Sequence, residues 1–308
     1  MEHIPVMLSE VCSYMRLESG QRCLDMTVGL AGHSAAILKA IAPLGFLLGL
    51  DRDTETLPLA YERLKATGGD FLLRHSDYAK VREVCAEQGL KDFNAILCDC
   101  GVSSKQLDDP ERGFGFERDC PLDMRLDRNE LLKASDLLNT CPESELADIF
   151  FNFGDERFSR PIARAIASRR KDRPFATSEE LASLVSGVYY RFGFRRSKVH
   201  PATRVFQALR IAVNHELRSL EEGITGAVEL LAPGGRLVVI SFHSGEDRIV
   251  KNLFRNFKKE GKGLIITKKP LTPGEKEIAE NPRSRSALLR VFEKTSDQGE
   301  NDAQSDLQ

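Results

Sequence analysis

Through the first hundred residues, short apolar runs that end in a small or acidic residue alternate with stretches of helical period, as expected of parallel βαβ construction. Four runs predict strands: Arg22 to Thr27 (RCLDMT), Phe46 to Asp51 (FLLGLD), Phe71 to Ser76 (FLLRHS) and Phe93 to Asp99 (FNAILCD). Ser34 to Ala42 and Glu55 to Lys65 read as helices between them. After Asp99 the pattern changes. Roughly 105 to 220 keeps helical periodicity without a convincing strand, until Arg236 to Phe242 (RLVVISF) resumes as a buried strand behind the turn Pro233-Gly234-Gly235. Gly263 to Lys268 and Leu288 to Glu293 are late candidates to complete the sheet, although a long connection separates them. The expected organisation is therefore an α/β sheet domain built from 1–105 and 221–294 and interrupted by a helical insert at 106–220. The tail, 295–308, is polar and acidic; it is expected to be disordered and is assigned no function.

At 308 residues and 41% hydrophobic content, the chain can bury one large core plus a smaller inserted domain. The longest nearly uncharged apolar stretch, Ile41 to Leu50, contains Pro43 and two glycines and has about half the length needed to span a bilayer. The start, MEHIPVMLSEV, carries Glu2 and Glu10 and lacks the regions of a secretory signal, so a cytoplasmic protein is expected. Seven cysteines form no CxxC pair and suit reduced thiols. Strand alternation points Cys98 and Cys100 the same way, which fits packing better than zinc ligation, and no metal is expected. Charge changes the picture more. Residues 151–220 hold 14 Lys and Arg against 6 Asp and Glu, a local +8 that leaves −10 for the rest of a chain whose formal net charge is −2. One region is built to meet an anion.

Candidate chemistry gathers at the strand ends. The first strand runs into Asp25-Met-Thr27-Val-Gly29-Leu-Ala31-Gly32-His33-Ser34, a turn of small residues that lets a ligand approach the backbone. The second ends in Asp51, where a carboxylate can accept from both hydroxyls of an adenosine ribose. A glycine turn alone is often only a tight βα connection; paired with a terminal Asp at this spacing it points to a nucleoside. The turn departs from GxGxxG, and no GKS/T is present, so a ligand without phosphates fits better, of which S-adenosylmethionine is the commonest. Tyr78 is placed either to lie against the adenine or to stand as a surface aromatic. Asp99 completes a row with Asp25 and Asp51 along the carboxyl edge of the sheet.

Long motifs then become specific: DMTVGLAGHS, GLDRD at 49–53, DCGVSSKQLDDPERGFGF at 99–116, PLDMR at 121–125, GDERFSRPIARAI at 154–166, HPATRVFQALRIAVNHEL at 200–217, LAPGGRLVVISFHSGEDRIVK at 231–251 and NPRSRSALLRVFEK at 281–294. With His3-Ile-Pro-Val they cover nearly the whole chain except the tail. The sequence resembles the bacterial ribosomal RNA small subunit methyltransferase H family, which methylates the N4 amine of a cytidine in the decoding region. The resemblance implies a class I S-adenosylmethionine methyltransferase sheet with a helical insert after the fourth strand. It implies that Ala31, Gly32, His33, Asp51, Tyr78, Asp99 and Gln106 bind the cofactor. The partner implied is small-subunit ribosomal RNA, within the ribosomal subunit or a late assembly intermediate, with no membrane; monomer and dimer both fit. This chain departs from the family in having Leu30 and Ala31 where a glycine is usual, and Tyr78 where Phe is frequent. Alanine still permits close approach, and tyrosine keeps the aromatic face.

Methyl transfer from a sulfonium to an amine asks for alignment and desolvation, not a nucleophilic residue. Asp99 is the candidate catalytic group, as an acceptor for the hydrogens of the cytosine amine or, alternatively, only as an anchor for the methionine amino group. The target base must be splayed out of folded RNA. Phe114 and Phe116 are candidates to grip it, the alternative being anchors of their loop. His243, beside Asp247, is expected to be structural rather than a proton acceptor. In the basic insert Arg195, Arg196, Lys198 and Arg204, near Phe192 and Phe194, are the expected RNA contacts. Two other function classes share parts of this pattern: a nicotinamide-dependent oxidoreductase, which the missing GxGxxG disfavours, and a non-enzymatic ribosome-assembly factor on a decayed methyltransferase fold.

Overall fold

A computed structural model describes residues 4–116, 118–194 and 200–295. The chain divides into two compact units, 1–101 with 218–308, and 102–217.

The first unit is the sheet. In chain order it contains α1 (Leu8–Met15), β1 (Arg22–Asp25), α2 (Gly32–Ile41), β2 (Phe46–Asp51), α3 (Leu57–Thr67), β3 (Asp70–His75), α4 (Val81–Glu87) and β4 (Phe93–Asp99). Among the described residues seven strands run in the order β3-β2-β1-β4-β5-β7-β6, where β5 is Leu231–Ser241, β6 Gly263–Ile265 and β7 Leu288–Lys294. The first five are parallel, and β7 runs antiparallel between β5 and β6. This is an open, Rossmann-like α/β sheet, and both late candidates are in it.

Strand alternation sorts the apolar residues into two layers. Leu24, Leu48, Ile96, Cys98, Leu237 and Val239 face one side. There Val81 and Cys85 of α4 cover them, with Leu220, Ile224 and Val228 beyond the insert and Phe254 and Phe257 following β5. Cys23, Leu47, Ala95, Leu97, Val238 and Ile240 face the other side, under Val11 and Met15 of α1, Ile37 and Ile41 of α2, and Leu64 of α3. Each such side chain contributes ~1.5–3 kcal/mol by leaving water. The Cys98 and Cys100 thiols do lie together inside the first layer, 3.8 Å apart.

One boundary differs from the expectation. Pro233-Gly234-Gly235 does not precede the fifth strand but sits inside it: Leu231 already pairs with Phe93, and the register jumps so that Arg236 pairs with Ala95. The extra residues bulge out, with Gly234 at φ 77°. A bulge carries the same Pro-Gly signature as a turn, and only the pairing on β4 distinguishes them.

The second unit is helical: α5 (Ser104–Asp108), α6 (Ala134–Thr140), α7 (Glu143–Gly154), α8 (Ser159–Arg169), α9 (Ser178–Arg191) and α10 (Thr203–Asn214). Among its described residues there is no strand, only an isolated bridge between Pro121 and Thr177. Its core holds Leu146 and Phe150 of α7, Ile162 and Ile166 of α8, Leu181 and Val185 of α9, and Phe206 and Leu209 of α10. Helix α11 (Glu216–Leu230) leads back to β5, and α12 (Ser244–Lys259) and α13 (Glu275–Glu280) follow it.

Candidate cofactor site

In an open parallel sheet, ligands bind outside the carboxyl ends of the strands where the strand order reverses. Here that point lies between β1 and β4, the chain having gone outward to β2 and β3 before returning. Asp25, Asp51 and Asp99 end β1, β2 and β4, so three carboxylates stand on one edge as the sequence suggests.

Backbone amides and hydroxyls hold them. Asp25 is fully buried, accepts from the Thr27 amide at 3.0 Å and receives the Ser34 hydroxyl at 2.5 Å. Thr27 Oγ1 in turn accepts from the Asp99 amide at 2.7 Å, tying the tip of β4 to the loop after β1. Asp51 accepts from the Gly29 amide at 2.6 Å and the Asp53 amide at 2.8 Å. A carboxylate offers about four lone-pair sites, so two amides leave capacity for a ribose. Thr27, Ser34 and Asp53 have no role in the sequence reading. Their signal is weak, since short polar residues in a glycine turn are common.

The loop itself is shaped by backbone geometry. Gly29 and Ala31 both adopt left-handed conformations, φ 51° and 58°. Glycine reaches that region freely, whereas alanine does so at a cost of roughly 1–2 kcal/mol. Ala31 therefore holds this path under strain. Gly32 is required for a different reason: a Cβ there would stand 2.5 Å from Pro5 Cγ. The N-terminal segment therefore packs directly on the loop.

His33 continues that contact. Its Nε2 lies 2.9 Å from the Val6 carbonyl, which can only accept, so Nε2 carries the hydrogen and Nδ1 keeps its lone pair. Burial pushes the imidazole pKa down to about 4, which makes it neutral. Nδ1 then faces Asp99 Oδ2 at 3.6 Å. Asp99 Oδ1 is buried with no hydrogen-bond partner among the described residues. Burial, then the neighbouring charges of Asp25 and Glu246, hold the Asp99 carboxyl well above the usual carboxylate range. Burial likewise raises Asp25, and brings Asp51 up to about 6. Three carboxyls whose anions are costly form a site that a cation relieves.

Tyr78 follows β3, positioned by Asp77, which accepts from the Ala79 amide at 2.8 Å and the Ser219 hydroxyl at 2.9 Å. The tyrosine is half-buried and leans on Gly223 of α11, where a Cβ would meet its ring at 2.7 Å. His243 Nδ1 caps α12 by accepting from the Gly245 amide at 3.2 Å and the Glu246 amide at 3.4 Å. Its neighbour Asp247 pairs with Arg290 at 2.7 and 3.0 Å.

The remaining expected site residues belong to the helical unit. Gln106 is buried and closes a capping box at the start of α5, its Oε1 accepting from the Ser103 amide at 2.8 Å. Phe114 is corrected: only 7% exposed, its ring is part of the helical core, and a base cannot reach its faces without opening that core. Phe116 is half-buried against His200 and Phe206, ring centroids 4.6 and 4.8 Å away. Arg204 is exposed and donates to the Asp155 carbonyl at 3.1 Å. Arg195, Arg196 and Lys198 lie outside the described residues.

Known proteins can be set beside this geometry. A protein named ribosomal RNA small subunit methyltransferase H from Syntrophobacter fumaroxidans is 46% identical over 309 residues, covering 96% of this chain and 97% of its own. Proteins of the same name from Geobacter sp. (strain M21) and Carboxydothermus hydrogenoformans are also 46% identical, over 95% and 96% of this chain and 98% of each of theirs. The profile of the MraW methylase family matches residues 1–295. A sheet that ends in paired carboxylates at its switch point, and relatives of nearly equal length along almost the whole chain, place this protein in the MraW methylase family.

Proposed function

We propose that this chain methylates the N4 amine of a cytidine in small-subunit ribosomal RNA, in the decoding region, with S-adenosylmethionine as the methyl donor. The observation that carries the site assignment is the buried Asp99 Oδ1, without a hydrogen-bond partner among the described residues, at the switch point, with the Asp51 carboxylate on the same sheet edge two strands away. An acceptor left without a donor in a buried position costs roughly 1–3 kcal/mol, and an amine or ammonium would relieve it. Membership of a methylase family, rather than the loop, is what separates this reading from a nicotinamide enzyme.

Bound S-adenosylmethionine supplies an electrophilic methyl on a sulfonium and carries an ammonium. Asp51 would accept from the ribose hydroxyls, Tyr78 would cover the adenine, and Ala31, Gly32 and His33 would line the approach. Asp99 would accept an N–H of the cytosine amine, drawing its lone pair out of conjugation with the ring and toward the methyl group. The Thr27 hydroxyl, through its bond to the Asp99 amide, sets where that acceptor stands. The neutral His33 cannot compete as a cation for the carboxylate. We place the substrate within the small subunit or a late assembly intermediate. No helix among the described residues is long and apolar enough to cross a membrane, and the enzyme would act in the cytoplasm.

The test is transfer of labelled methyl to small-subunit RNA, followed by mass spectrometry of its nucleosides. Label in N4-methylcytidine is expected, and its absence with a folded, cofactor-binding protein would leave only an RNA-binding assembly role.

The raised carboxyls also predict a pH dependence. With Asp51 at about 6 in the free protein and ionised in the complex, S-adenosylmethionine affinity should level off above that pH. Below it, binding must expel a proton, and affinity should fall by about tenfold per pH unit for each such group. For cofactor-free stability the sign is opposite to that of an ordinary carboxylate. The folded state holds this proton more tightly than the unfolded chain, so Asp51 opposes folding above about 6 and ceases to do so as pH falls toward its unfolded value. Titration calorimetry across pH checks the first, and thermal melts without cofactor check the second.

A further inference from the structure

Within the helical unit, Phe158, Phe192 and Phe194 form a cluster at the surface. The rings of Phe158 and Phe192 stack at 4.8 Å with 23° between planes, and Phe194 meets Phe158 edge-on at 5.5 Å. Phe192 is 52% and Phe194 42% exposed. The base beneath them is fixed. Glu156, fully buried, accepts from the Tyr189 hydroxyl at 2.7 Å and the Phe158 amide at 2.8 Å, and the Tyr189 ring packs on Phe158 at 4.9 Å. Above them lies Arg157, its guanidinium carbon 4.0 Å from the Phe194 centroid and 4.8 Å from that of Phe158. Arg157 makes no ion pair among the described residues, and Arg160 and Arg191 are exposed nearby in sequence.

We infer that this cluster is a stacking platform for an unpaired base of single-stranded RNA, with the Phe192 ring as its open face and Arg157 as its cation. The inference rests on the RNA-methylating function proposed above and adds where the chain grips RNA flanking its target. Three observations favour RNA over a protein partner. The rings are exposed yet packed on one another and on Tyr189, so little entropy is lost on stacking. Arg157, against the rings, makes no ion pair among the described residues, whereas protein interfaces deplete charge at their centres. Finally, the segment 151–220 carries a net +8, and aromatic rings interleaved with cations are how single strands are held without base-pair readout.

The test is fluorescence anisotropy of the full chain with a fluorescein-labelled, cytidine-containing single-stranded RNA oligonucleotide over a range of salt. Phe192→Ala and Phe192→Leu should both weaken binding about tenfold, the loss expected of one stacked base, and Phe192→Trp should restore it. The salt slope should not change, because no phosphate contact is removed, while Arg157→Gln should make it shallower. Wild-type affinity in Phe192→Ala, or absence of binding by the wild-type chain, overturns the platform. Full affinity in Phe192→Leu overturns stacking and marks an apolar face for a protein. Labelled methyl transfer by the wild-type chain is run alongside. Its failure overturns the proposed function, whereas normal transfer with unaltered binding by Phe192→Ala overturns the platform alone.

Discussion

Asp99→Asn is expected to slow methyl transfer by roughly ten- to a thousandfold in single turnover at saturating cofactor and RNA, the range for losing one aligned electrostatic contact. The substitution keeps the size of the side chain and its backbone amide, so the bond to Thr27 Oγ1 survives. What changes is the character of Oδ1 and Oδ2. One of them becomes an NH2, and His33 decides which: its Nδ1 lone pair, 3.6 Å from Oδ2, attracts the amide hydrogens and leaves the carbonyl at the Oδ1 position. The acceptor is then in place but neutral. A mere cofactor anchor would behave differently, with KM for S-adenosylmethionine rising and the saturated rate staying within twofold of the wild type. Rapid-quench kinetics separates the two, and the second pattern would return Asp99 to an anchoring role.

Asp51→Ala is expected to weaken S-adenosylmethionine binding by about ten- to a hundredfold or more, with far-UV circular dichroism unchanged. A charge-assisted contact to ribose is worth roughly 1.5–3 kcal/mol. The structure adds a second loss, because the same carboxylate holds the Gly29 and Asp53 amides at 2.6 and 2.8 Å and so shapes the loops after β1 and β2. The fold should tolerate the change: removing a carboxyl whose anion is disfavoured by burial offsets the two lost hydrogen bonds. Titration calorimetry checks the affinity. An unchanged dissociation constant in a folded variant would remove Asp51 from the cofactor site.

Much of this site was readable before any coordinates. An acidic residue at the end of an apolar run has one physical reading, a strand whose last carboxylate emerges at the sheet's edge, and Asp25, Asp51 and Asp99 all obey it. What holds those carboxylates was not readable. Thr27, Ser34 and Asp53 act through backbone amides, and any short polar residue in the loop would look the same. Nor was the difference between Phe114 and Phe192 legible. Both are phenylalanines beside a glycine in a basic or polar stretch, yet one is enclosed by the helical core and the other stands in solvent.

The sequence by itself determined the first four strands and the helical insert that interrupts a parallel sheet, and it pointed to a nucleoside site where the glycine turn and Asp51 meet. These follow from local periodicity, which each segment carries alone. Tertiary structure decided the rest. Pairing with β4 turned Pro233-Gly234-Gly235 from a turn into a bulge. Packing of Pro5 and Val6 on Gly32 and His33 fixed the tautomer of a buried histidine. Burial of Asp99 beside Asp25 and Glu246 raised its carboxyl well above the usual carboxylate range. Each of these depends on groups distant in sequence and on the water their meeting excludes, and electrostatic energy in a protein is set by that exclusion far more than by the identity of the charged residue.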